Sequence, residues 1–191
     1  VLGTLVDLKE GGYGVEQSRI ESAKQFLLRE IRQKPELLQN KDAVILTAYA
    51  LSRLDGTHYN ADIKNRIVSY AQDRAFVQEK ASNLSLSYLA ILLAKEDAYG
   101  NLRENIFSGL ENRLVIDSRG ASLRPQAAGA LYQFYETPIK DTALFIKALA
   151  KSERENPVLD KALRWILRSR AKDGAWGSTN NTVTVIDALT D

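Results

Sequence analysis

Apolar residues recur at intervals of three and four along most of the chain, which predicts a succession of amphipathic α-helices. Alternation with a period of two, the pattern of a half-buried strand, is rare. Short polar segments containing glycine, proline or asparagine separate the helical runs. The predicted helices cover residues 15–32, 41–54, 60–77, 83–96, 100–114, 126–135, 137–152, 158–169 and 178–189.

Two of these helices have strong start signals. Thr137-Pro138 combines a threonine N-cap with proline at the first helical position, and Asn156-Pro157 repeats the arrangement. The segment 83–96 is apolar on most sides, so we expect that helix to be buried between neighbours. In the helix that follows Thr137, the pattern predicts an inward stripe of Ile139, Ala143, Ile146, Leu149 and Ala150.

One segment departs from the helical pattern. Between Leu114 and Leu123, β-branched residues flank an Asp-Ser-Arg-Gly sequence that is typical of a turn. We therefore expect a short β-hairpin or an extended excursion near 114–124.

A series of short helices joined by short loops is typical of helical hairpins in sequence. The pattern predicts an all-α fold, either an open solenoid or a toroid of paired helices. No strict repeat of the TPR or HEAT type is present. With 191 residues, the chain is predicted to be a single helical domain or a fragment of a larger one.

Composition excludes several kinds of chemistry. The chain has no cysteine and a single histidine, His58, so disulfides, zinc–thiolate sites and thiol nucleophiles are excluded. A net charge of +2 predicts no binding of nucleic acid. The longest apolar stretches are about half of the roughly 20 residues that a bilayer requires, so no membrane insertion is predicted. Methionine is absent, also at the first position, and we expect the chain to be a segment of a longer polypeptide.

A glycine–aromatic–glycine turn occurs twice. Gly12-Tyr13-Gly14 lies near the start of the chain, and Gly174-Ala175-Trp176-Gly177 lies near its end, each between two helical segments. Glycine allows the chain to reverse with positive φ. We expect each aromatic ring to fill the junction between helices.

The second turn carries a family resemblance. Asp173-Gly174-Ala175-Trp176-Gly177, with the helix before it, resembles the turn shared by α/α-toroid proteins: triterpene cyclases, prenyltransferase β-subunits, lanthionine cyclases and thioester domains. The residues after Trp176 resemble the Trp-x-Ser-Thr-x-x-Thr sequence of bacterial alpha-2-macroglobulin-like proteins. The resemblance is loose over most of the chain and more specific over 137–190. The residues that would mark this fold are Gly12, Tyr13, Gly14, Trp165, Gly174, Trp176, Ser178, Thr179 and Thr182.

The resemblance implies the C-terminal part of a thioester-containing α/α-toroid domain, incomplete as a ring. It also implies a protease-trapping inhibitor in the bacterial cell envelope or periplasm, whose partners are its own neighbouring domains and target proteases. In that family the thioester forms within Cys-x-Glu-Gln, and this chain lacks the cysteine. We therefore predict a non-enzymatic interaction segment with no catalytic residue, cofactor or metal. The open ends of the ring would allow weak self-association.

Other functions remain open at this point. His58-Tyr59-Asn60 would supply a polysaccharide lyase with a base and a charge-neutralising group, although a solvated loop with Asn60 as N-cap explains the same residues. A terpenoid-cyclase relative would need an acidic cluster that the chain lacks. A helical-repeat module that binds peptides is a third alternative. Trp165 and Trp176 are expected in the core. A solvated face is expected for the basic residues Arg164, Arg168, Arg170 and Lys172.

Overall fold

The computed structural model of the chain describes residues 2–34, 38–55, 61–94, 96–125 and 137–190. Of these residues 73% are helical, and the described part also contains a two-stranded antiparallel sheet. The all-α prediction is thereby confirmed. The predicted helix 126–135 and the residues His58, Tyr59 and Asn60 lie outside the described ranges.

The elements are α1 (Leu2–Glu10), α2 (Gln17–Gln33), α3 (Lys41–Asp55), α4 (Ala61–Gln72), a π-helical turn (Phe76–Lys80), α5 (Asn83–Leu93), a 3₁₀ turn (Asp97–Tyr99), α6 (Gly100–Glu111), β1 (Leu114–Asp117), β2 (Gly120–Leu123), α7 (Pro138–Lys151), α8 (Leu159–Arg168) and α9 (Thr179–Thr190).

Side-chain caps explain where several helices begin. The Thr137 hydroxyl accepts the N–H of Lys140 at 3.1 Å, as its predicted N-cap role requires. Ser82 caps α5 in the same way through the N–H of Ser85, also at 3.1 Å. The predicted start at Asn156-Pro157 is wrong in detail: Val158 is the N-cap of α8 and Pro157 lies before the helix, because the Asn156 side chain accepts the N–H of Val158 at 2.8 Å in a local turn that precedes Leu159.

Three predicted helix ends are wrong. The helix predicted over 60–77 stops at Gln72, because the Asp73 carboxylate accepts the N–H of Phe76 at 3.0 Å and starts the π-helical turn. The helix predicted to reach residue 96 ends at Leu93, where the Arg103 guanidinium binds three carbonyls of residues 93–96 at 2.8–3.2 Å. The helix predicted to reach residue 114 ends at Glu111, ahead of the hairpin.

The chain divides into two compact units, Val1–Tyr70 and Ala71–Asp191. In unit 1, α1 packs against α2 and α3, and α2 packs against α3. Arg53 of α3 forms an ion pair with Glu10 of α1 at 3.1 Å. The prediction that all 191 residues form one domain, or part of one, stays a prediction.

In unit 2, α7 is the central helix. It packs against α5, α8, α9 and β2, and every residue from Lys140 to Leu149 is buried. The predicted one-sided stripe is therefore incomplete, and Ala150, which was expected to face inward, is exposed. A helix with neighbours on all sides buries polar positions as well, which a stripe pattern does not anticipate.

The predicted hairpin is present, with Leu114 opposite Leu123 and Asp117 opposite Gly120. Gly120 has a φ of 140°, and a Cβ at this position would lie 2.3 Å from the Lys161 carbonyl oxygen. Only glycine therefore lets β2 approach α8 this closely. Within the described ranges, no helix is both long and apolar enough to span a bilayer.

Candidate functional site

Residues 169–178 join α8 to α9, and together with the first residues of α9, as far as Thr182, they are called the tryptophan turn below. Gly174 and Gly177 have φ values of 88° and 83°, the left-handed conformation that glycine adopts without strain. Trp176 is 6% exposed and Trp165 9%, so the prediction that both rings lie in the core is confirmed. The apolar cluster that contains them also includes Ala143, Ile146, Ala162, Ile166, Val185 and Ala188.

The polar groups of Trp176 all have partners. Its indole N–H donates to the buried carbonyl of Ile166 at 2.8 Å, and its backbone N–H donates to the Thr182 hydroxyl at 3.0 Å. Its carbonyl accepts from the Asn181 side-chain amide at 3.1 Å. Because each of these groups is buried or partly buried, losing a partner would cost the desolvation of the group left behind.

Asn181 connects the start of α7 to the start of α9. Its backbone N–H is bound by the Ser178 hydroxyl at 3.1 Å, and its side-chain oxygen accepts from the Thr137 hydroxyl at 2.9 Å. Thr179, the first residue of α9, is exposed. The structure therefore brings together five of the predicted residues: Trp165, Gly174, Trp176, Ser178 and Thr182. Asn181, which bonds to Trp176 and Ser178, was not predicted from the sequence. The sequence indicates the burial of Asn181 through its spacing to Val185 and Ala188, because this spacing places all three residues on the buried face of α9.

The first aromatic turn is built differently. Gly12 has a φ of 80°, and the N–H groups of Gly12 and Tyr13 bond to the carbonyls of Lys9 and Leu8 at 3.0 and 2.9 Å. These are the bonds of a helix C-cap, in this case of α1. Tyr13 is 68% exposed, so the prediction that its ring fills a junction is wrong. A C-cap needs the backbone freedom of Gly12 and places no demand on the next side chain.

Two of the basic residues near the tryptophan turn do more than face solvent. All of the predicted residues in this run are exposed, as expected. Arg168 also donates to the Ser118 carbonyl at 3.0 Å, and Arg170 donates to the Gly174 carbonyl at 2.8 Å. The Arg170 guanidinium lies 5.5 Å from the centroid of the Trp176 ring. The remaining basic residues of the run are Arg164 and Lys172.

A buried polar network lies next to the hairpin. Arg113, which is 8% exposed, donates to the carbonyls of Ala81 and Val77 at 2.7 and 3.1 Å. It also donates to the Asn83 side chain at 3.2 Å, and Asn83 in turn donates to the Asp141 carboxylate at 3.0 Å. These three residues, called the polar core below, join the π-helical turn, α5 and α7. Sequence reasoning did not single them out, although Arg113 occupies an apolar-stripe position, which is the signal of a buried charge.

A second buried charge lies between α7 and α9. Lys147 is 1% exposed, and its ammonium group lies 2.6 Å from the carboxylate of Asp187, which is 38% exposed. A buried ammonium group requires a negatively charged partner such as this carboxylate, because burial removes it from water. No set of three histidine, cysteine, aspartate or glutamate side chains among the described residues is arranged to hold a metal ion.

Asp117 at the hairpin turn is an exposed carboxyl group whose pKa is lowered. The backbone N–H of Arg119, 2.8 Å from the carboxylate, lowers the pKa of Asp117, and the Arg119 guanidinium at 3.1 Å acts in the same direction. The charged form of Asp117 thus holds the turn together.

Two open grooves lie at the surface of the described structure, one in each unit. A groove of about 430 Å³ in unit 1 lies between α2 and α4, with Leu28 and Ile63 among its walls. A groove of about 300 Å³ in unit 2 lies between β1 and the loop that precedes α8. Neither combines a nucleophile with a base within hydrogen-bonding distance among the described residues. No protein-family model matches the sequence, and no curated protein is significantly similar to it.

Proposed function

We propose that this chain is a non-enzymatic interaction segment of an α/α-toroid domain, in a bacterial alpha-2-macroglobulin-like protein that traps proteases in the cell envelope or periplasm. The observation that carries the proposal is the tryptophan turn. The residues on which the resemblance depends, among them Trp176, Ser178 and Thr182, form one hydrogen-bonded junction between two helices. A turn of this kind joins consecutive helices and carries no reacting group.

An exposed apolar stripe supports the role in interaction. Val183, Ile186 and Leu189 of α9 are 59%, 51% and 41% exposed, and their spacing places them on one side of the helix. Contiguous exposed apolar surface is typical of a contact with another protein surface. In the proposed function this surface contacts a neighbouring domain of the same polypeptide, and the domain as a whole contacts the captured protease.

The buried charges support the absence of chemistry in this segment. Arg113 binds backbone carbonyls, and Lys147 binds the carboxylate of Asp187. Groups engaged in this way hold secondary-structure elements together and are unable to contact a substrate without unfolding their surroundings.

The proposal is tested on the complete polypeptide that contains this chain. It is incubated with trypsin, and the hydrolysis of casein is compared with the hydrolysis of a tripeptide substrate. A trap encloses the protease, so we expect casein hydrolysis to fall strongly while tripeptide hydrolysis persists. The complex should also elute earlier than either protein in size-exclusion chromatography.

Two results would contradict the proposal. Equal hydrolysis of casein with and without the polypeptide means that no protease is captured. Equal loss of casein and tripeptide hydrolysis indicates an inhibitor that blocks the protease active site directly. Heat-denatured polypeptide is the control for simple competition between substrates.

A further inference from the structure

The two strands of the hairpin differ in how they are covered. Gly120, Ala121 and Leu123 of β2 are buried beneath α7 and α8. The free edge of β2 is also closed, because the N–H of Leu123 donates to the Thr142 hydroxyl at 3.0 Å. In β1, by contrast, Ile116 is 54% exposed.

The register shows which backbone groups of β1 point outward. In an antiparallel pair, residues that bond across the ladder alternate with residues that do not. The N–H of Arg124 bonds to the carbonyl of Arg113, so the pairs two and four residues further along bond in the same way. Leu114 and Ile116 therefore direct their N–H and C=O groups away from β2. No described residue forms a hydrogen bond with these groups.

A groove runs along the same strand. Leu114 and Ile116 lie on the same face of the hairpin as Leu123 and Ala121, because directly opposite residues share a face. That face is covered at β2 and open at β1, where the groove of about 300 Å³ separates it from the loop of Asn156, Pro157 and Val158. If another strand were added beside β1, every second side chain of that strand would point to this face. An apolar side chain at such a position would enter the groove.

The rim of the groove is acidic. Arg154 bonds to the carboxylates of Glu104 and Glu111 at 2.7 and 3.3 Å, and Asn156 donates to Glu111 at 2.6 Å. Glu155 is exposed and forms no ion pair with a described residue. Among the charged residues that line the groove, the carboxylates of Glu111 and Glu155 outnumber the single guanidinium group of Arg154, so the lining carries an excess of one negative charge. At the other end of the strand, Asp117 is neutralised by its neighbour Arg119.

We propose that β1 binds an extended, basic segment of a partner protein as a third strand of the sheet. The backbone of the partner bonds to Leu114 and Ile116, an apolar side chain fills the groove, and a lysine or arginine lies beside Glu111 and Glu155. Binding by strand addition takes its affinity from backbone bonds and its specificity from alternate side chains. The proposal does not depend on the protease-trapping function.

The first experiment measures binding of a synthetic peptide to the 191-residue chain. A fluorescein-labelled peptide of three Lys-Val repeats is titrated and followed by fluorescence anisotropy. The matched control is the acidic peptide of three Glu-Val repeats. We expect binding of the basic peptide only, and weaker binding as salt is added. Equal binding of both peptides, or no binding of the basic peptide at millimolar protein, overturns the proposal.

The second experiment uses variants of exposed residues, whose folding is verified by circular dichroism. Ile116→Lys closes the groove and Glu155→Arg reverses the charge at the rim, so each should weaken binding by about tenfold or more. Val183→Lys and Glu79→Arg are matched controls, because they make the same kinds of change at exposed positions of α9 and the π-helical turn. Equal effects in all four variants would mean non-specific attraction and would overturn the proposal.

Hydrogen exchange distinguishes strand addition from side-chain binding alone. The amides of Leu114 and Ile116 should become protected when the basic peptide binds. The amides of Val115 and Asp117 serve as internal controls, because the register already pairs them with β2. Unchanged exchange at Leu114 and Ile116 in the presence of bound peptide overturns the proposal.

Discussion

At the scale of single residues, unit 2 is held by side chains that bind backbone groups where helices end. Trp176 shows this best, because one residue fills the cluster between α8 and α9 and binds the last turn of α8 through its indole nitrogen. A phenyl ring would fill some of the space, but it would lose the buried hydrogen bond to the Ile166 carbonyl, which would then keep only the N–H of Ser169 at 3.1 Å.

Replacing Trp176 by phenylalanine should therefore lower the free energy of unfolding by about 2–4 kcal/mol, from lost packing and a lost hydrogen bond. Urea denaturation followed by circular dichroism measures the change. Trp165→Phe is the matched control, because Trp165 is similarly buried and its side chain forms no hydrogen bond with a described residue. We expect a smaller loss in that variant. An equal loss in both would show that the indole hydrogen bond is unimportant.

Gly120 sets the distance between β2 and α8. Gly120→Ala would place a methyl group 2.3 Å from the Lys161 carbonyl oxygen and 2.9 Å from Trp165 Cβ, at a φ of 140°. We expect a loss of about 3 kcal/mol or more in the free energy of unfolding. Gly100→Ala is the control, since a Cβ there meets no atom within 4 Å and the backbone is helical. That variant should be neutral or slightly more stable.

At the scale of elements, α7 organises unit 2, and its first residues determine how α9 is attached. The Thr137 hydroxyl caps α7 and at the same time donates to Asn181 of α9. A single hydroxyl group thus serves two helices, and its loss affects both.

We expect Thr137→Ala to lower the free energy of unfolding by about 1–2 kcal/mol, since the cap and the bond to Asn181 are lost together. Thr184→Ala is the control, because its exposed hydroxyl bonds only to a carbonyl within the same helix. That substitution should change stability by less than about 0.5 kcal/mol. Thermal unfolding of both variants gives the comparison, and an equal effect would contradict the capping role.

The hairpin turn should respond to acid. Because the pKa of Asp117 is lowered in the folded chain, its contribution to stability is complete above the ordinary pKa of an aspartate. The contribution is lost as the pH falls through the lowered value. The amide resonance of Arg119, which bonds to Asp117, should therefore shift in strongly acidic solution with a midpoint below 3.8. Asp117→Asn should abolish this shift, and a midpoint at or above the ordinary value would contradict the prediction.

Sequence patterns predicted most of these elements because local signals and packing agree in them. The cap at Thr137, the hairpin near 114–124 and the buried tryptophans follow from residue types at their positions. The end of α4 was missed because Asp73, an ordinary polar residue in the pattern, captures a backbone N–H. The polar core was missed because Asn83, Arg113 and Asp141 are far apart in sequence and meet only after folding. Apolar periodicity carries no information about such pairings.

At the scale of the whole molecule, exposed apolar surface on α9 favours association. Val183, Ile186 and Leu189 form the stripe described above, and burial of such a stripe against a second copy would remove apolar surface from water. We expect weak, concentration-dependent self-association of the 191-residue chain, measurable by light scattering.

Val183→Lys combined with Ile186→Lys should make the chain monomeric across the same concentration range. The double substitution of Leu8 and Leu46 by lysine is the control, because these apolar residues of unit 1 are also exposed. A strictly monomeric parent chain would contradict the prediction. So would equal effects of the two double variants.

The position of α9 in the chain has a consequence for synthesis. Val185 and Ala188 complete the cluster around Trp165 and Trp176, and Asp187 binds the buried Lys147 of α7. A ribosome releases α7 and α8 before it releases α9, so the nascent chain passes through a stage in which the central helix has no cover on that side. Unit 2 therefore folds late, once its last helix has emerged, whereas α1, α2 and α3 of unit 1 are free to pack much earlier.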